Sequence, residues 1–231
     1  MITENIDYDL DTTSIHDKGF LLLKSIFKQE AQDFLAIIKN ILPATSDNRY
    51  QKAFFNNDIE KFGLTSFFKN QDFKKILHNI FLDGYVFSNN FFYRDFKKCQ
   101  GTRAHADHVY FDQPNPLITV WVALSEITLD MGPLYILTKN ESKHIATNEY
   151  LTQKINSNDA TNNKGWEKAV LNLDIPVKTR ELTTGDCYLF LSDVVHGTLD
   201  SKSSASRLSI DFRVTGSTDY DKRWFTTQYT N

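Results

Sequence analysis

The spacing of apolar residues changes near residue 85. Before that point, Ala31, Phe34, Leu35, Ile38, Ile41 and Leu42 recur at helical intervals until Pro43 stops the run. Phe73, Ile76, Leu77, Ile80 and Phe81 repeat the pattern, with Asn70 or Asp72 as the opening cap and Gly84 as the stop. Between them lies a polar, aromatic stretch carrying Phe54, Phe55, Phe62, Phe67 and Phe68. Residues 1–84 therefore predict a helix-rich part that leans on a sheet.

Beyond residue 85 the pattern becomes that of strands. Tyr85-Val86-Phe87 and Phe91-Phe92-Tyr93 flank Asn89-Asn90, and Leu117 to Leu124 is an apolar, β-branched run. Cys187 to Leu191 follows a Gly185-Asp186 turn, and Arg207 to Val214 alternates between polar and apolar side chains. Short strands without intervening helical repeats predict an antiparallel sandwich or barrel over about 85–215. Residues 139–166 break the pattern: Lys, Asn, Ser and Thr dominate, which predicts a long polar loop. A loop of that length in a compact domain acts as a functional lid or is partly disordered. No repeat divides the chain, so a single domain over 1–231 is expected.

Composition narrows the class of protein. With 26 basic and 29 acidic side chains the net charge is −3, which gives no chain-wide footprint for nucleic acid. Cys99 and Cys187 form no C-x-x-C pair, so neither a disulfide framework nor a thiolate zinc site is expected. Met1 leads into acidic residues rather than a basic-then-apolar leader, and no apolar run reaches membrane-spanning length. A cytoplasmic protein, monomeric or homodimeric, is the expectation.

Two constellations carry chemistry. In His105-Ala106-Asp107 the first and third residues share a face in extended backbone and offer an imidazole and a carboxylate together. These are two legs of the two-histidine, one-carboxylate triad of non-haem iron sites, and His196, just past the 187–191 strand, can supply the third. Alone, the His-x-Asp spacing equally describes a surface hydrogen-bonding pair. The second constellation is Arg207-Leu208-Ser209, eleven residues after His196. Arg207 and Ser209 share a strand face and suit a carboxylate, and Asp211 and Arg213 continue that face, which otherwise reads as solvated.

At this point the chain resembles the phytanoyl-CoA dioxygenase family of Fe(II)- and 2-oxoglutarate-dependent oxygenases. The likeness runs from about Gly19 to Arg213. It rests on Gly19-Phe20-Leu21-Leu22-Leu23, His105-Ala106-Asp107, Val120-Trp121-Val122-Ala123-Leu124, Met131-Gly132-Pro133-Leu134 and the Gly185 to Gly197 segment. Met131 stands where the family usually has Asn. The resemblance implies a mainly β fold with flanking helices: a double-stranded β-helix, or cupin-like jelly roll, with an N-terminal helical part. It implies His105, Asp107 and His196 as iron ligands and as the catalytic centre. It also implies Arg207 as the partner of the 2-oxoglutarate C5 carboxylate, with Ser209 as its hydroxyl companion. Trp121 falls beside the cosubstrate, with Thr119 on the same face. Asn90 is a further cosubstrate candidate that also reads as a turn residue.

The implied activity couples O2 and 2-oxoglutarate to oxidation of a substrate C–H bond. Asp107 favours hydroxylation over halogenation, because related halogenases carry a small residue there. The many Phe side chains suit a dry barrel interior, although an ordinary core accounts for most of them. The chain looks like compact bacterial members that tailor small soluble metabolites. Two alternatives are a non-catalytic jelly-roll protein binding metal or a small ligand, and an oxygenase of acyl-thioesters. His108, Tyr110, Arg94, Asp211 and Arg213 are candidate substrate contacts. The 139–166 segment, with Tyr150 and Trp166, is a candidate lid.

Overall fold

The computed structural model describes residues 3–9, 11–42, 46–109, 116–146 and 176–226. The chain opens with strand β1 (Thr3–Asn5), helix α1 (Ile15–Lys18), strand β2 (Phe20–Leu23) and helix α2 (Lys28–Ile38). Strand β3 (Arg49–Phe55) then precedes three helices, α3 (Asn57–Lys61), α4 (Thr65–Lys69) and α5 (Gln71–Ile80). Asn70, not Asp72, opens α5: its side-chain oxygen accepts a 2.9 Å bond from the Phe73 N–H. α2 ends at Ile38, short of Pro43, and leaves Ile41 exposed.

Strands dominate from there. β4 (Tyr85–Ser88), β5 (Asn90–Phe96), β6 (Leu117–Ala123) and β7 (Leu134–Ile136) precede helix α6 (Lys139–Ala146). β8 (Val177–Thr179), β9 (Cys187–Leu191), β10 (His196–Thr198), β11 (Arg207–Gly216) and β12 (Phe225–Thr226) complete the chain. The larger sheet has the order β12-β4-β11-β6-β9-β2, with β5 paired to both β11 and β3. The smaller sheet has the order β1-β8-β7-β10. Only β1 and β8 pair in parallel among the described strands. The result is the jelly roll, mainly β with flanking helices.

The helix-rich first 84 residues also supply strands: β2 and β3 extend the larger sheet and β1 edges the smaller one. β3 is an edge strand with one buried residue, Phe54, in seven, too sparse a stripe to announce itself. Residues 139–146 are a helix rather than loop, opened by the capping box Thr138-x-x-Glu141. There the Glu141 carboxylate accepts from the Thr138 N–H at 2.6 Å, while the Thr138 hydroxyl accepts from the Glu141 N–H at 3.3 Å. The remainder of the candidate lid, with Tyr150 and Trp166, lies outside the described residues.

The core sits between the larger sheet and the helices. Phe212, on the outer face of β11, touches rings from both sides. Phe91 lies at 4.8 Å, Phe68 at 5.4 Å, Phe73 at 6.0 Å and Phe67 at 6.3 Å between centroids. Most of the phenylalanines thus form ordinary core on the helix side. The inner face of β11 is polar and wholly buried, carrying Arg207, Ser209, Asp211, Arg213 and Thr215. This strand face is not solvated; it forms a wall of the barrel interior.

Candidate metal and cosubstrate site

A single β-bridge places two histidines opposite each other. His105 and His196 exchange both backbone N–H···O bonds at 2.9 Å, bringing their rings to 4.3 Å between centroids. His105 lies between strands, and His196 opens β10. Each ring is fixed through Nδ1. His105 Nδ1 bonds the Arg103 carbonyl at 2.8 Å, and His196 Nδ1 bonds the Val194 carbonyl at 3.0 Å. With Nδ1 held by a carbonyl, Nε2 of each ring is turned toward Asp107, the atom through which an imidazole binds a metal.

Asp107, in the short 3-10 turn after His105, completes the group. Its Oδ1 lies 3.6 Å from His105 Nε2 and 3.7 Å from His196 Nε2, and one ligand atom from each residue falls within 4.8 Å of the others. The opposite oxygen, Oδ2, accepts from the Thr119 hydroxyl and from Arg213 Nη2 at 3.2 Å. Burial pushes this carboxyl up, but Arg213 and the two histidines outweigh burial and hold it well below the ordinary range. Burial, aided by His105, pushes the His196 imidazole down to about 3. An ionised carboxylate beside a neutral imidazole is the donor set that a divalent iron site requires.

A cavity opens in front of these groups. His105, His196 and Thr198 lie on one side, Thr119, Trp121 and Phe190 on another, and Arg94, Asp211 and Arg213 along β5 and β11. Strand register explains the grouping: Arg213 lies opposite Thr119, Asp211 opposite Trp121, and Thr119 opposite Phe190. Thr198 carries no motif of its own, but it sits two residues after His196 on the same strand. That spacing is the signal by which it is recognisable.

Arg207 and Ser209 lie further along the same face of β11, fully buried and outside the cavity lining. Arg207 Nη1 donates to the Gly132 carbonyl at 3.1 Å, and its guanidinium stacks 4.8 Å from the Phe96 ring centroid. Gly132 has φ +73, and a Cβ there would meet the Leu199 carbonyl at 2.3 Å, so the turn that seats Arg207 requires glycine. Arg207 Nε and the Ser209 hydroxyl have no partner among the described residues. Two buried polar groups in this state could hold a carboxylate.

Other expected contacts are placed differently. Asn90 is a buried strand residue, not a turn residue, and does not line the cavity. His108 is exposed, has Nδ1 3.3 Å from the Ser192 carbonyl, and does not line the cavity. Tyr110 lies outside the described residues. Arg94, Asp211 and Arg213 do converge: Asp211 forms ion pairs with both guanidiniums.

A jelly roll whose mouth carries two histidines and one carboxylate on a common face is the architecture of a non-haem iron oxygenase. Residues 15–209 match the family described as phytanoyl-CoA dioxygenase (PhyH). The chain belongs to that family, and is an Fe(II)- and 2-oxoglutarate-dependent oxygenase. No curated protein matches it in sequence. Among solved structures it is similar to the non-haem α-ketoglutarate-dependent epimerase SnoN from nogalamycin biosynthesis. That pair shows 13% identity and a TM-score of 0.67 over 90% of this chain and 82% of that one. The carbocyclase SnoK from the same biosynthesis is similar at 13% identity and TM-score 0.66, over 90% and 83%. HygX from Streptomyces hygroscopicus, with nickel and 2-oxoglutarate bound, gives 13% and 0.66 over 92% and 89%. At such identities these likenesses concern the fold. No helix among the described residues is long and apolar enough to cross a membrane.

Proposed function

We propose that the protein oxidises a C–H bond of a small soluble metabolite, with His105, Asp107 and His196 holding the iron. The carrying observation is the convergence of three ligand atoms within 4.8 Å, with each histidine ring tethered through Nδ1 to a backbone carbonyl. Iron held by these three residues would supply oxidation coupled to decarboxylation of 2-oxoglutarate.

The remaining residues act as binders and positioners. Arg207 and Ser209 would receive the distal carboxylate of 2-oxoglutarate through their unpartnered groups, and Trp121 would offer it a wall of the cavity. Thr119 and Arg213 hold Asp107 Oδ2, so that Oδ1 alone is directed at the histidines. Phe190 and Leu134 exclude water from the cavity walls. The assignment to small metabolites is supported by the origin of SnoN and SnoK in nogalamycin biosynthesis. The retained Asp107 favours hydroxylation or a related C–H oxidation over halogenation.

The test is spectroscopic and chemical. Anaerobic addition of Fe(II) and then 2-oxoglutarate should produce the weak visible band of the chelate, and admission of air should yield succinate. Both signals should vanish in His105→Ala and His196→Ala while circular dichroism stays unchanged. Tight zinc binding with neither band nor succinate in the native protein would overturn the proposal.

A further inference from the structure

We infer that the substrate carries an oxyanion, a carboxylate or a phosphate, and that Arg94 receives it at the mouth of the cavity. The inference rests on the proposed function and deepens it.

The inner face of β5 and β11 brings Arg94, Arg207 and Arg213 together with only Asp211, while Asp107 stands at the metal group. Once the site is loaded, the two positive charges of iron(II) are matched by Asp107 and the chelating carboxylate of 2-oxoglutarate. The distal carboxylate of the cosubstrate matches Arg207. Asp211 then remains, and it faces two guanidiniums, Arg94 and Arg213. It can neutralise one of them. One positive charge is left over in a desolvated place, an arrangement that binding of a counter-charge relieves.

Geometry says where that charge is available. Arg213 directs Nη1 to Asp211 and Nη2 to Asp107, so both ends of its fork are engaged. Arg207 is 1% exposed and lies outside the cavity lining. Arg94 lines the cavity with its side chain 22% exposed and meets Asp211 through Nη1. Burial, then Arg213 and Arg207, push its guanidinium down to about 9 against the opposing charge of Asp107. Asp211 is the only acidic residue among the described residues lining the cavity. A guanidinium fork recognises carboxylate and phosphate through paired N–H···O bonds, and Trp121, Phe190 and Leu134 offer apolar surface to the rest of a small acid.

The test compares acids with their neutral counterparts on the full-length protein loaded with Fe(II) and 2-oxoglutarate. The probes are the common amino acids against their carboxamides, and glucose 6-phosphate against glucose. Stimulated succinate formation is read in air, and change of the chelate band is read anaerobically. At least one acid or phosphate should act at a concentration tenfold or more below its neutral counterpart; the amino-acid and phosphate arms separate the two sources of the oxyanion. Arg94→Gln should abolish that preference and raise the half-saturating acid concentration about thirtyfold, with 2-oxoglutarate affinity held within twofold. Arg94→Lys should recover part of the loss. Asp211 keeps Arg213 as a partner in both variants, and the acid-against-amide comparison on the native protein needs no variant. Equal response to acids and amides, or response to no acid, overturns the inference. So does a tenfold loss of 2-oxoglutarate affinity in Arg94→Gln, which would place Arg94 in the cosubstrate site. Failure of the oxygenase reading looks different: no chelate band forms in the native protein before any probe is added.

Discussion

Asp107 divides its two oxygens between different neighbours, and the division depends on residues far away in the chain. Thr119 comes from β6 and Arg213 from β11, and each reaches Oδ2 because strand register places them opposite one another. Outer partners of metal-binding carboxylates typically govern affinity by about 10–100-fold. Arg213→Ala is therefore expected to change Fe(II) affinity by roughly that factor, read by anaerobic titration, with Thr119→Val acting more weakly. An unchanged affinity would make the Arg213 contact incidental. The cosubstrate end behaves independently. Truncating one partner of a buried charge-assisted pair costs roughly 2–5 kcal/mol, and about 1.4 kcal/mol is tenfold. Arg207→Ala should thus weaken 2-oxoglutarate binding about thirtyfold or more, and Ser209→Ala about tenfold or less. Unaltered binding in Arg207→Ala would shift the anchor to Arg213.

At the scale of elements, α6 shows how a polar segment acquires a structural task. Its capping box ties Glu141 to Thr138, and Lys178 of β8 bonds the same carboxylate at 2.8 Å. Ser142 then accepts the Val195 N–H at 2.9 Å, which steadies the backbone just before His196. Burial pushes Glu141 up, but Lys178 and the Thr138 bonds prevail and lower it. A carboxyl lowered by folding contributes stability above its unfolded value, near about 4.3, and that contribution is lost as pH falls through the folded value. Glu141→Gln keeps the cap but loses the Lys178 pair, and should accordingly cost about 0.5–1 kcal/mol at pH 7 and nothing at a pH below the folded value, measured as the gap between melting temperatures. A gap independent of pH would separate the helix cap from the charge.

The same elements show what the sequence made legible. His105, Asp107 and His196 stand out because ligand residue types recur at a motif spacing. The alternation of β11 likewise marks Arg207 and Ser209 as sharing a face. α6 was hidden because its composition is polar, although Thr138 and Glu141 spell its start. The convergence of Arg94 with Asp211 was beyond reach for another reason. It depends on β5 pairing with β11 so that Arg94 lies opposite Ser209, and register between distant strands leaves no local signature.

Across the whole molecule, β11 holds two interiors apart. On one side Phe212 gathers rings from α4, α5, β4 and β5; on the other lie the guanidiniums and carboxylates of the cavity. Phe212→Ala is expected to destabilise the fold by about 3–5 kcal/mol, measured by urea denaturation. A loss below about 1 kcal/mol would mean that the helical layer holds without this ring. The separation has a consequence for how such a protein diversifies. Even-numbered positions from Leu208 to Val214 belong to the fold, and odd-numbered positions from Arg207 to Arg213 belong to the chemistry. Selection can rewrite one set while the other stays still, so a new substrate need not begin with a weaker protein. The restriction is that odd positions change in company: a new residue at 211 strands Arg94 and Arg213 together, and descent should show these sites altering as a group.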